Sequence, residues 1–156
     1  MATITTAFAA IRARLEAVAI TDAEGNTLPF RWQYEDGGPL PEDPTAFCHV
    51  EMENFGAGRF PVGYGGGSGN NLYRNEGLVN AYVFVPNGQG ISVAVALGEQ
   101  VAARLRSYRD STISCFAASV HPIGDGTSIA PSGLNSEVNN YTCAVVEIAI
   151  QFDQVG

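Results

Sequence analysis

The chain has 156 residues, of which 46% are hydrophobic and 15% charged. This balance excludes a disordered or coiled-coil chain, and no apolar run approaches the roughly 18 residues that a membrane span needs. All eight cations are arginine, and sixteen Asp and Glu residues give a formal net charge of -8. Such acidity argues against tight nucleic-acid binding, which depends on cations that neutralise phosphates.

The first third of the chain predicts a helix, a strand and a proline-rich connector. Apolar residues recur at steps of three and four, which predicts an amphipathic helix over residues 3–19. Residues 28–34 alternate with a period of two and predict a strand, whose aromatic face is expected in the core: Phe30, Trp32 and Tyr34. The prolines of EDGGPLPEDP, residues 35–44, predict an extended connector.

Four further elements follow. Residues 46–54 predict a strand with an apolar face and a solvated polar face, the latter formed by His49, Glu51 and Glu53. Residues 78–85, 112–120 and 141–153 also read as strands. A second helix begins at about Ile91, and its helically spaced apolar residues are expected to be buried: Val93, Leu97, Val101, Leu105 and Tyr108.

The order α-β-β-β-α-β-β predicts an α+β fold. We expect an antiparallel or mixed sheet of about five strands, with two main helices packed on one face. Long loops are predicted at about residues 55–76 and 121–140. No internal repeat or domain boundary is visible, so residues 1–156 are predicted to form a single domain.

The stretch PVGYGGGSGNNLYRNEG, residues 61–77, resembles a phosphate-binding loop only superficially. It lacks the third glycine of GxGxxG and leads into a strand rather than a helix, and no GxxxxGK[ST] exists. Five glycines in seven positions make ordering in isolation unfavourable. We therefore predict a flexible loop that becomes ordered against a partner, with these candidate interface residues: Phe60, Tyr64, Gly65, Gly66, Gly67, Gly69, Asn70, Leu72 and Tyr73.

Catalytic and metal sites are not predicted. No nucleophile elbow accompanies the two histidines, and Cys115 and His121 are expected some ~20 Å apart along a strand, too far for a dyad. His49 and Glu51 share a strand face but lack further metal ligands. The three cysteines are widely spaced, which predicts buried reduced thiols rather than disulfides or a zinc site. No cofactor and no enzymatic activity are predicted.

The organisation of nearly the whole chain resembles the tail terminator proteins of long-tailed bacteriophages and the related proteins of phage-like gene transfer agents. The resemblance rests on ITTAFAAIRARLEAV, on LPFRWQYED with its connector into TAFCHVEMEN, on NEGLVNAYVFVPNGQGISVAVALGEQVAARLRS and on VNNYTCAVVEIAIQFD. Residues 79–107, a strand that ends in Pro-x-Gly-x-Gly before an amphipathic helix, carry most of it.

This resemblance implies a structural virion protein that forms a hexameric ring on the head-proximal end of the tail tube. Such a ring stops tube polymerisation and offers a surface to the head-tail connector, while DNA passes through its lumen without tight binding. The implied partners are other copies of the chain, the tail tube protein and the connector. The protein would be made in the host cytoplasm, with no membrane partner, and end in the virion.

Two alternatives remain open. Another neck or tail component, such as a head-closure or tube-like protein, would share the size, acidity and ring-forming habit. A small cytoplasmic ligand-binding domain or enzyme would instead hold its ligand in a pocket beneath Trp32.

Overall fold

The computed structural model describes residues 3–33, 35–57, 71–125 and 140–155. Its elements follow the predicted order: α1 (Ile4–Glu16), β1 (Phe30–Trp32), β2 (Phe47–Ala57), β3 (Leu72–Pro86), α2 (Ile91–Leu105), β4 (Ser114–Asp125) and β5 (Tyr141–Val155). Two helices and a five-stranded mixed sheet confirm the predicted α+β fold.

The strands lie in the order β1-β2-β3-β5-β4. β1 runs parallel to β2, and the other neighbours are antiparallel. β3 and β5 are 15 residues each and pair along their full length, from Leu72 opposite Val155 to Pro86 opposite Tyr141. At ~3.4 Å per residue this central pair of strands is about 50 Å long, and the other strands flank it on both sides.

Both helices cover one face of the sheet. The main core combines their apolar stripes with alternate residues of β3 and β5, including Val79, Ala81, Val83, Ile148 and Ile150. Leu97, Val101 and Leu105 are buried as predicted, whereas Val93 and Tyr108 are only partly buried. α2 packs closely on the sheet at Gly98, where an added Cβ would lie 3.1 Å from Val120 Cγ1.

α1 is shorter than predicted. It begins with a capping box in which the Thr3 and Thr6 side chains each accept a hydrogen bond from the other's backbone N–H. It ends at Glu16 rather than at residue 19. Val18, an apolar residue within the predicted helix, is 55% exposed. The chain turns there because Ile20 must meet Leu28, whose N–H donates to the Ile20 carbonyl.

The strand and loop boundaries also needed correction. β1 covers only Phe30–Trp32, because Gln33 turns and binds β2 instead, with its side-chain oxygen accepting from Met52 N–H. The loops predicted at 55–76 and 121–140 include residues that belong to strands. β2 continues to residue 57, β3 starts at 72 and β4 reaches 125. Pairing with long neighbouring strands extends these segments although their own sequences do not alternate cleanly.

A second apolar cluster lies on the opposite face of the sheet. Phe47, Phe84, Tyr141, Cys143 and Val145 are all buried there, and Leu40 from the proline connector packs against them. The Phe47 and Phe84 rings stack with centroids 4.9 Å apart. One end of this face is therefore covered by the connector.

Candidate functional site

The sheet face opposite the helices, here called the far face, carries two adjacent rows in which all residues except Val145 are polar. The first row crosses four strands as His49, Tyr82, Val145 and His121. The second row is Glu51, Asn80, Glu147 and Ser119. The two histidines of the chain thus share one row, and a row with two glutamates lies directly beside it.

The first histidine forms a buried pair with its neighbour. His49 Nε2 lies 3.2 Å from Glu51 Oε1, and the two residues are 3% and 8% exposed. The prediction of a solvated polar face was wrong for both residues. Their row neighbours explain the burial: Arg31 of β1 pairs in register with His49 on one side, and Tyr82 of β3 flanks it on the other.

Burial sets the protonation of this cluster. It lowers the pKa of His49 from its ordinary value of 6.5, against the opposing pull of Glu51. Burial also raises the pKa of Tyr82 to about 12, and the nearby carboxylates of Glu51 and Glu53 add to that shift. Within the described residues, His49 Nδ1 and Asn80 Oδ1 have no hydrogen-bond partner. His49 is accordingly held neutral in the folded protein near neutral pH.

Stability is therefore expected to fall as the pH drops below about 6.5, the unfolded pKa of histidine. The unfolded chain binds a proton there that folded His49 resists, so the free energy of unfolding decreases by up to about 1.4 kcal/mol per pH unit until the folded pKa is reached. Urea unfolding between about pH 5 and 8 measures this slope. His49→Gln should flatten it and His121→Gln should not; equal slopes in all three proteins would contradict the prediction.

The other end of the far face is exposed and acidic. Arg74 donates two hydrogen bonds to Asp153, of 2.9 and 3.1 Å, and they lower the pKa of that carboxyl group. His121 Nε2 lies 3.2 Å from Glu147 Oε2, with both side chains about half exposed. Across the described far-face positions five carboxylates outnumber the two arginines, Arg31 and Arg74. The carboxylates are those of Glu51, Glu53, Glu76, Glu147 and Asp153.

The cysteines offer no reactive thiol at this face. All three are free and buried, as predicted. Burial raises the pKa of Cys48 and raises those of Cys115 and Cys143 to about 12. The Cys115–His121 pair is not brought together, because Cys115 pairs with Ile150 of the core whereas His121 lies on the far face.

We expect the thiols to resist modification in the native protein. The thiolate is the reactive form, and burial both suppresses it and blocks access. A chromogenic disulfide reagent at about pH 8 should label three thiols per chain in denaturant but react at least about tenfold more slowly without it. Rapid native labelling of even one cysteine would show that its surroundings are open to solvent.

Most of the candidate interface residues lie outside the described part of the chain. These are Phe60, Tyr64, Gly65, Gly66, Gly67, Gly69 and Asn70. Leu72 and Tyr73 are partly buried and are the first residues of β3, paired with the end of β5 rather than lying in the predicted loop. Their role as interface residues stays a prediction. The pairing of Leu72 with Val155 extends the strand to this point.

Trp32 occupies the core rather than the roof of a pocket. It is 4% exposed, its indole N–H donates to Glu16 Oε1, and the rings of Phe8 and Phe30 lie against it. The predicted core position of the aromatic row is confirmed for Trp32, and Phe30 packs beside it. Tyr34 falls outside the described residues.

Sequence reasoning missed a groove at the outer edge of β4. Its volume is about 560 Å³, and its lining includes Arg106, Arg109 and Phe116. Arginines crowd the end of α2 in the sequence, where cations complement the helix dipole, but their spacing alone does not show that they line a groove. Phe116 could not be placed, because a bulge between Cys115 and Ala118 sets its direction.

Among the described residues, no three His, Cys, Asp or Glu side chains are grouped so that they could hold a metal ion. No described helix is both long and apolar enough to cross a membrane. No protein-family model matches the chain, and a search of curated proteins found no significant match.

Proposed function

We propose that the protein is a structural component of a phage-type tail, a six-membered ring that caps the head-proximal end of the tail tube. The ring would stop tube polymerisation and present a surface to the head-tail connector, without catalysing a reaction. The resemblance of the chain to tail terminators suggests this architecture. The observation that carries the proposal is the far face, acidic on a sheet whose other face holds both helices.

A ring subunit around DNA needs two chemically different sides. The helix-covered side of this sheet holds the main core. The far face bears five carboxylates, of which that of Glu51 is buried, and two arginines among its described residues. An acidic channel wall repels a polyanion and lets it pass without capture. The net charge of -8 per chain, repeated around a ring, strengthens that effect.

The glycine-rich residues that precede β3, residues 61–70, have a separate role in the proposal. They contact the tube, so that attachment depends on a partner that compensates the entropy lost by their glycines. The head-tail connector, a separate protein, would then bind the opposite side of the ring. These assignments rest on the sequence and extend the proposal to the partners of the ring.

Native mass spectrometry over a range of protein concentrations tests the ring directly. A closed sixfold species of the 16.5 kDa chain is the expected result. Electron microscopy of purified tail tubes mixed with the protein should then show density at one tube end and an arrest of growth. Binding to a portal but not to tubes would point to another neck component. Neither a ring nor tube binding would overturn the proposal.

A matched pair of variants tests which face lines the channel. Glu147→Lys reverses one charge on the far face, whereas Glu24→Lys reverses an exposed charge in the turn after α1. Rings of Glu147→Lys are expected to retain linear DNA at low salt, because cations in the channel neutralise phosphates. Glu24→Lys rings should behave as wild type. Equal DNA retention by both variants would contradict the orientation proposed here.

A further inference from the structure

We propose that the groove beside β4 of one subunit receives the acidic proline connector, residues 35–44, of a second copy. This inference rests on the proposed ring and names the contact that would close it. The groove offers two arginines around an exposed aromatic ring, and the connector offers two carboxylates between prolines. The contact is head-to-tail, because the two surfaces lie on different parts of the chain.

The groove is built on a fixed frame. Ser107 N–H donates to the Phe116 carbonyl and Cys115 N–H to the Tyr108 carbonyl, so residues 107–108 pair along the outer edge of β4. Arg106 Nη2 donates to the Ala118 carbonyl. These bonds hold the walls in place before any partner arrives, which reduces the entropy cost of binding.

Its chemistry suits an acidic, proline-containing segment. The Phe116 side chain is 43% exposed even though it is a large hydrophobic residue. Arg109 donates through Nε to Ser114 Oγ, and the only ion pair of Arg106 is a 3.4 Å contact with exposed Glu99 among the described residues. Both guanidinium groups keep donors for a carboxylate. Exposed aromatic and arginine side chains are the residues enriched at protein interfaces.

The connector presents the complementary groups in a preset shape. Arg31 donates to the carbonyls of Gly38 and Pro39, and Leu40 packs against the second apolar cluster. Beyond these anchors Glu42 and Asp43 are exposed, and within the described structure their carboxylates make no hydrogen bond or ion pair. Prolines at 39, 41 and 44 favour an extended backbone that loses little entropy on docking.

The connector cannot reach the groove of its own chain. It joins β1 to β2 at one edge of the sheet, whereas the groove borders β4 at the other edge. Four strand spacings of ~4.8 Å separate those edges by about 19 Å. A second copy is therefore the occupant. Two different surfaces at opposite edges form a heterologous contact, and such contacts generate rings when the rotation closes.

A charge exchange tests the contact. Arg106→Glu/Arg109→Glu makes the groove acidic, and Glu42→Arg/Asp43→Arg makes the connector basic. Each variant alone places like charges together, so the concentration for half-maximal ring assembly should rise at least about tenfold. Mixed one to one, the variants form only complementary contacts in an alternating ring, and assembly should return. Arg104→Glu, two residues from Arg106 but outside the groove, is the control.

Folding and function are separated in this design. Melting temperatures within a few degrees of wild type confirm that each variant folds. If wild type forms rings and both variants also do so at the same concentrations, the inference falls while the proposed function stands. Variants that remain unassembled when mixed would also overturn it. If wild type shows no ring, sedimentation of the labelled variants decides: association only in the mixture supports the contact, and no association removes it.

Discussion

Replacing Trp32 by alanine is expected to lower the free energy of unfolding by about 3–5 kcal/mol, the usual cost of deleting a buried large aromatic side chain. The indole joins α1 to the sheet. It meets the Phe8 ring edge-on at 5.6 Å, donates to Glu16 Oε1 at 3.1 Å, and lies beneath the Arg12 guanidinium at 5.0 Å.

Trp32→Phe provides the matched control, because it keeps an aromatic ring and removes the N–H donor and part of the area. We expect it to cost about 1–2 kcal/mol, which corresponds to a lost hydrogen bond to a charged group and a small cavity. Trp32 is the single tryptophan, so unfolding must be followed by far-ultraviolet circular dichroism rather than fluorescence. Equal losses for the two variants would mean that the indole N–H, not packing, dominates.

Phe84→Ala is expected to have an effect of similar size, about 3–5 kcal/mol, on the opposite face of the sheet. Phe84 is fully buried, stacks on Phe47 and meets the edge of Tyr141 at 6.2 Å. Its removal leaves a cavity that the flanking strands cannot close, because their backbones are held by the ladder of β3 and β5. The connector loses its support as well, since Leu40 packs on the same cluster.

Tyr82→Ala is the comparison for Phe84→Ala, because Tyr82 is two residues away on the same strand face but only partly buried. We expect this change to lower the free energy of unfolding by about 1 kcal/mol, because the Tyr82 side chain buries less apolar area in the folded state than the Phe84 side chain does. Urea unfolding of both variants measures the difference. If Phe84→Ala proves no more harmful than Tyr82→Ala, the second cluster contributes little to stability.

Much of the fold could be predicted because the helix-facing residues keep a regular period. The apolar steps of α2 and the alternation of Ala144, Val146, Ile148 and Ile150 both predict the main core. These four strand residues are buried, as are Leu97, Val101 and Leu105 of α2. Burial on the far face could not be predicted from the spacing of apolar residues. His49 and Glu51 look like a wetted polar face, yet neighbouring strands and Arg31 enclose them.

The extra length of β3 and β4 also depends on neighbouring strands rather than on a regular period in the sequence. Leu72 to Gly77 show no clean alternation, and they are strand because β5 lies opposite them and Arg74 bonds to Asp153. The β4 groove depends on a bulge that turns Phe116 outward, a local departure from the period of two. Neither feature follows from propensity, since a strand gains its hydrogen bonds from distant residues.

By itself, the sequence determined the α+β class, the order of the elements, the burial of the thiols and the acidity, because these depend on local period and composition. Tertiary structure alone decided the strand order, the buried His49–Glu51 pair, the second apolar cluster and the separation of the groove from the connector. Each of these features joins residues far apart in the chain, and their contacts form only when the strands pair in this order and register.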